Sequence, residues 1–147
     1  MVEITAGPAF SRAVLRGRAV GGVPVTPCRA AVDGERAALW LGPDEWLLLA
    51  PVGAGWGLPG ADSLVDVSQR QDALIVAGAD AAVVLNGAVP LDLGLAAFPV
   101  GMCTRTICEK AEIVLWRTGP DRFHVEAARS FMPYVRELLT LIAAEGP

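Results

Sequence analysis

Two stretches of this chain carry the same hairpin. ALWLGPDEWLLLAP (38–51) has a strand at Leu39-Trp40-Leu41, a turn at Gly42-Pro43-Asp44 and a return strand from Trp46 to Ala50. Such triplets turn a chain because proline fixes φ and aspartate bonds its own backbone. IVLWRTGPDRFHVEA (113–127) repeats the order with Leu115-Trp116, Gly119-Pro120-Asp121 and Phe123, with one residue added. Arg29 stands eleven residues before Trp40, and Arg105 stands eleven before Trp116. A fainter echo joins EITAG (3–7) to LIVAG (74–78). Self-similarity of this kind points to duplication. The reading is a single domain over 1–147 made of two related halves, about 1–62 and 63–147.

The strands of these hairpins are apolar on both faces. Leu39 and Leu41 point one way and Trp40 the other, while Trp46 and Leu48 oppose Leu47 and Leu49. A sheet of such strands needs cover on both sides. Composition agrees: 53% of the residues are hydrophobic and 19% charged, against about 45–50% and about 25% in an ordinary domain. Such a chain has a very apolar core or keeps an apolar face for a partner. Expressed alone, it is expected to pair with itself as a dimer or to aggregate.

Several classes fall away. The formal charge is −4 and Arg12, Arg16 and Arg18 form the main basic cluster, which argues against nucleic-acid binding. The opening MVEITAGPAF carries Glu3 and lacks the apolar run of a signal peptide. The apolar region 73–100 is broken by Asp80, Asn86, Pro90 and Asp92, short of the ~20 residues that cross a membrane. Three cysteines suit a reducing cytoplasm better than a disulfide framework.

The second half reads as a strand at 72–78, a helix at 79–87, strands at 100–108, 111–118 and 121–128, and a final helix. Ser130 is the candidate cap of that helix, ahead of Met132, Tyr134-Val135, Leu138-Leu139 and Leu141-Ile142 at helical spacing. In the first half, VGAGWGLPGADS (52–63) sits where a helix would be expected, but its glycines and Pro59 predict a loop with one helical turn at most. The fold class is α+β, with helices on one face of antiparallel strands.

FPVGMCTRTICEK (98–110) holds Cys103 and Cys108. Five residues apart on a strand, they point to opposite faces with Cα atoms ~16 Å apart, far beyond the ~7 Å a disulfide allows. A shared metal fails on the same geometry, and no second ligand pair follows. The lone histidine, His124, shares a polar strand face with Arg122 and Glu126. A Cys–His nucleophile would need contact and a third orienting residue. In DVSQR (66–70), Asp66, Ser68 and Arg70 share one face if extended, and Asp66 with Arg70 could bracket a small polar ligand such as a pterin. A solvated ion pair is the plainer reading. G-x-G-x-x-G, P-loop and H-E-x-x-H patterns are all missing. The four tryptophans read as core or interface anchors.

Taken in order, ALWLGPDEWLLLAP, DVSQR, PLDLGLAAFPVGMCTRT, AEIVLWRTGPDRFHVE and RSFMPYV resemble the gamma subunit of heterotetrameric sarcosine oxidase. That family resembles in turn the folate-binding aminomethyltransferase, or glycine-cleavage T-protein, fold. The resemblance implies a duplicated α+β organisation and a structural, non-catalytic subunit that binds no cofactor or metal. Its implied partners are the alpha, beta and delta subunits. FAD, FMN, NAD and tetrahydrofolate would belong to alpha and beta, and zinc to delta. The implied complex oxidatively demethylates sarcosine to glycine, yielding hydrogen peroxide and a one-carbon unit passed to tetrahydrofolate. GRAVGGVPV and GAGWGLPGADS look shorter than the family's helical segments. The alternative is a free-standing aminomethyltransferase-like domain that binds tetrahydrofolate or another pterin through Asp66 or Arg70.

Non-reducing peptide mapping of the folded protein should recover no Cys103–Cys108 bridge. Finding one would show that the 103–108 segment is not an unbroken strand.

Overall fold

The computed structural model describes residues 1–146. The chain runs through β1 (Glu3–Ala6), β2 (Phe10–Arg16), β3 (Ala30–Asp33), β4 (Arg36–Gly42), β5 (Glu45–Pro51), β6 (Ser63–Asp66) and β7 (Gln71–Ala77). It continues with helix α1 (Ala81–Asn86), β8 (Cys103–Cys108), β9 (Ala111–Gly119), β10 (Arg122–Ala128) and helix α2 (Met132–Glu145). Two antiparallel five-stranded sheets result, ordered β1-β7-β10-β9-β8 and β3-β4-β5-β2-β6.

Both hairpins form as their turn chemistry predicts. Trp40 faces Trp46 and Leu39 faces Leu47 across β4 and β5, with a register shift between Trp40 and Gly42 at the turn. β9 and β10 carry the same shift beside Gly119, so that Arg117, opposite Phe123, takes the place of Trp40, opposite Trp46, and Trp116 lies one residue earlier. Reading the second sheet from its other edge gives β6-β2-β5-β4-β3, which matches β1-β7-β10-β9-β8 strand for strand. In this match β1 and β6 are exchanged: each lies at the edge of the sheet built mainly from the other part of the chain. The EITAG and LIVAG segments are therefore hydrogen-bonded neighbours, Ile4 opposite Val76, and the counterpart of β7 in strand order is β2.

The two-faced strands produce three apolar layers. Between the sheets lie Leu39, Leu47, Leu49, Cys103 and Val114. Helices α1 and α2 cover the outer face of the β7–β10 sheet, packing Val84, Leu85, Val135 and Leu139 against Leu74, Ile113, Leu115 and Phe123. The outer face of the other sheet, with Leu15, Trp46 and Leu48, is covered by Val20, Val23, Trp56 and Leu58 from loops. Trp46 meets this cover with a polar tie as well, its indole Nε1 donating to the Pro24 carbonyl at 2.8 Å.

Local details depart from the sequence reading. Segment 52–62 is a loop, as its four glycines and Pro59 predict, without the one helical turn allowed for it. Helix α1 is shorter than 79–87. Ser130 does not cap α2: Phe131 stands at the cap with no side-chain bond, and Pro133 in the first turn supplies the pre-set φ instead. Residues 100–102 precede β8 rather than extend it, and Met102 makes an isolated bridge to Arg29. Gly78, between β7 and α1, has φ 128°, and a Cβ there would collide with the Met1 carbonyl.

Leu39 is fully buried between the sheets, whereas Leu141 on α2 is 57% exposed. Leu39→Ala should destabilise by about 2–5 kcal/mol, and Leu141→Ala by no more than about 0.5 kcal/mol. Urea unfolding of the two variants checks the layer assignment.

Candidate functional site

A charged cluster sits where the two sheets face each other. Arg12 of β2 is 4% exposed and Glu126 of β10 is 0% exposed. The guanidinium grips the carboxylate with two bonds, Nε to Oε1 at 2.6 Å and Nη2 to Oε2 at 3.0 Å. Such a bidentate fork is the strong form of ion pair. His124 Nε2 lies 2.7 Å from Glu126 Oε2. A carboxylate only accepts, so Nε2 carries the donated proton. Gln71 Nε2 of β7 donates to Oε1 at 3.1 Å. Phe10 and Trp116 flank the imidazole, with centroids 5.9 and 5.4 Å away.

The parity reading of β10 holds: His124 and Glu126 share a face. That face is buried rather than solvated, because it looks onto β2 of the opposite sheet. Burial pushes the Glu126 pKa up, yet hydrogen bonds from His124 and Arg12 and their charges outweigh it, and the carboxyl is held below its ordinary value of 4.5. Both carboxylate oxygens of Glu126 are held by members of the cluster, so its chemical capacity is to tie the sheets together at a fixed point. Ser68 adds to this. Its Oγ accepts the Arg12 backbone N–H at 2.8 Å, extending the β2–β6 edge by a side chain.

Beyond the cluster the sheets diverge around a cleft of about 660 Å³. Its lining includes Val65, Val67, Arg70, Glu45, Arg105 and Phe131. The carboxylates on its walls are already held by arginine. Glu126 is on Arg12, Glu45 is on Arg16 at 3.0 Å and Arg105 at 2.8 Å, and Glu112 is 3.5 Å from Arg105. Arg70 reaches only the Gln71 amide oxygen, at 3.3 Å, and has no carboxylate partner among the described residues.

Asp66 and Arg70 are not brought together. Asp66 is exposed, accepts the Ser68 N–H at 2.9 Å and lies outside the cleft lining, while Arg70 lies within it. That bond from Ser68 holds the Asp66 carboxyl below its usual range. A pterin held by Asp66 and Arg70 together would need the Asp66 carboxylate in the cleft, whose own carboxylates, Glu45, Glu112 and Glu126, already face arginines.

Cys103 and Cys108 lie on opposite faces of β8, the first in the inter-sheet layer and the second under the helices. Burial pushes their thiols up, to about 12 and about 11 respectively, so neither is a ready nucleophile. The backbone neighbour of Cys103 is Cys28, whose carbonyl accepts its N–H at 2.9 Å. Among the described residues no three His, Cys, Asp or Glu side chains gather as a metal would require. No helix among them is long and apolar enough to cross a membrane.

Two arginines escaped the sequence reading. Arg12 was visible only as part of a weak basic cluster. Arg117 is 3% exposed and donates to the carbonyls of Leu93 at 2.8 Å, Phe98 at 2.7 Å and Pro120 at 2.7 Å, with its guanidinium 4.7 Å from the Phe123 ring centroid. It thereby fastens the long 87–102 connection to β9. A cation alternating into an otherwise apolar strand, as in IVLWRT, was the available signal.

Two antiparallel sheets with helices on one outer face make an α+β fold. The aminomethyltransferase T of the Bartonella henselae glycine cleavage system superposes with TM-score 0.63 at 14% identity, over 94% of this chain and 45% of that one. At that identity the likeness is one of fold. The sequence model of the sarcosine oxidase, gamma subunit family matches residues 3–145, and the chain belongs to that family. Sarcosine oxidase subunit gamma of an Arthrobacter species is 36% identical over 104 residues, 65% of this chain and 50% of the relative. That of Corynebacterium sp. strain P-1 is 34% identical over 110 residues, 69% and 53% of the two chains. The chain thus spans about half the length of these curated relatives. A chain of the heterotetrameric sarcosine oxidase from Corynebacterium sp. U-96, solved with pyrrole 2-carboxylate, superposes with TM-score 0.84 at 26% identity, covering 98% of this chain and 84% of that one.

Because the Glu126 pKa is depressed on folding, its stabilising contribution is complete above the unfolded value and is lost as pH falls through the folded one. Wild-type urea midpoints should drop with acid below about pH 4.5, and Glu126→Gln should flatten part of that fall. Glu126→Ala at pH 7 should cost about 3–5 kcal/mol by stranding Arg12, while the double change Arg12→Met, Glu126→Leu should recover most of the loss.

Proposed function

We propose that the chain is a non-catalytic assembly subunit of a heterotetrameric sarcosine oxidase in the cytoplasm, contributing to sarcosine catabolism. The observation that carries the reading is the superposition, over 98% of this chain, on a chain of a heterotetrameric sarcosine oxidase. Family membership over residues 3–145 supports it. On this reading the partners are alpha, beta and delta subunits, and FAD, FMN, NAD, tetrahydrofolate and zinc reside in those partners. The chain itself acts as one domain of two related halves, about 1–62 and 63–147, a division supported by the matching strand orders of the two sheets.

The chemistry on the page suits such a role. The carboxylates between the sheets are held by arginines, the Cys103 and Cys108 thiols are buried, and the mixed lining of the cleft carries one cation without a carboxylate among the described residues. These are features of a scaffold that presents a surface, rather than of a centre that moves protons or electrons.

Co-expression with the other three subunits should yield a complex that retains this chain through size-exclusion chromatography. The chain alone should be dimeric or aggregation-prone by light scattering, without sarcosine oxidase activity. A clean monomer that ignores the other subunits would overturn the proposal. Micromolar tetrahydrofolate binding that disappears in Asp66→Ala would replace it with the pterin-binding alternative.

A further inference from the structure

Strand β6 is an edge of its sheet, with no strand on its outer side among the described residues. All four of its residues are exposed, including Leu64 at 36% and Val65 at 55%. In an antiparallel pair, residues alternate between those that bond the neighbour and those whose backbone groups point away. Val67 donates its N–H to the Arg12 carbonyl at 2.8 Å. Counting back in register, Val65 opposite Val14 and Ser63 opposite Arg16 turn their amides inward. Leu64 and Asp66 then turn theirs outward, unmatched. Exposed, apolar edges of this kind are ordinarily blunted by lysine, proline or a bulge. SLVD carries none of these, and only its four-residue length and one acid, Asp66, limit it.

The edge also borders the cleft. Val65, Phe131 (48% exposed) and Arg70 stand together on its lining. Arg70 is the cleft cation that lacks a carboxylate, while Arg16 and Arg105 already share Glu45.

We infer that β6 is a docking edge: an extended segment of another oxidase subunit adds beside it as a further strand, its apolar side chains on Val65 and Phe131 and a carboxylate on Arg70. This inference rests on the subunit reading above. Strand addition supplies main-chain bonds for affinity and alternate side-chain pockets for specificity. The free cation selects an acidic residue or a chain terminus in the incoming segment.

Hydrogen–deuterium exchange of the free chain and of the co-expressed complex tests it. The amides of Leu64 and Asp66 should exchange quickly in the free chain and slow about tenfold or more in the complex. Leu64→Pro removes only an outward N–H, which an edge strand tolerates, and should weaken assembly about tenfold. Arg70→Glu, whose exposed side chain gives up only its 3.3 Å bond to the Gln71 amide oxygen, should weaken assembly and remove part of its salt dependence. Unchanged exchange at 63–67 in an intact complex overturns the docking edge and leaves the subunit reading standing. Protection in the free chain that grows with concentration assigns the edge to a second copy instead. Failure of any complex to form overturns both readings.

Discussion

The ion pair between Arg12 and Glu126 is the most deeply buried charged contact between the two sheets, with Arg105 on Glu45 a second and more exposed one. Apolar burial is strong but indifferent to sliding. Leu39, Leu47, Leu49 and Val114 would accept many offsets between the sheets. A carboxylate bound on both oxygens accepts essentially one. Its charge is removed from water, so any slip that lengthens those bonds leaves two ions in a poor solvent. His124 and Gln71 complete the carboxylate's set of donors, and both sit in the sheet opposite Arg12. The pair therefore fixes how the two sheets lie on one another, and with that the mouth of the cleft beyond them.

The same architecture is finished in two ways. One sheet is closed by helices that present whole rows of Val and Leu. The other is closed by loop residues, among them Trp56 and Leu58, that reach back one at a time. Large aromatic side chains compensate for the missing helices, since each buries more area than an aliphatic residue.

Much of the layering was legible because it is local. Alternation along LWL and WLLLA set Leu39 against Trp40 and Leu47 against Trp46, and the structure keeps both contrasts, with the two leucines in one layer and the two tryptophans in another. The opposite faces of Cys103 and Cys108 follow from the same parity. Parity also put His124 beside Glu126, but it says nothing about what lies across the gap. Their partner, Arg12, is 114 residues away from Glu126. One clue was present: a polar pair on a strand central to its sheet is usually buried, and so needs a buried counter-charge. The exchange of β1 and β6 was illegible for a related reason. Four-residue segments carry little pattern, and pairing across the midpoint of the chain leaves no periodic trace.

That exchange has a consequence for synthesis. As the chain emerges from the ribosome, β2 to β5 can pair at once, yet their sheet lacks its last strand until residue 66 has appeared. The opening strand β1 waits longer, for Gln71–Ala77, and that strand gains its other neighbour only with Arg122–Ala128. Arg12 remains without Glu126 through the same interval. Closure is thus deferred to the end of translation, and distant pairings of this sort slow folding. The nascent protein spends its longest-lived incomplete state with two bare sheet edges, which is when a chaperone or a neighbouring nascent chain has most to hold.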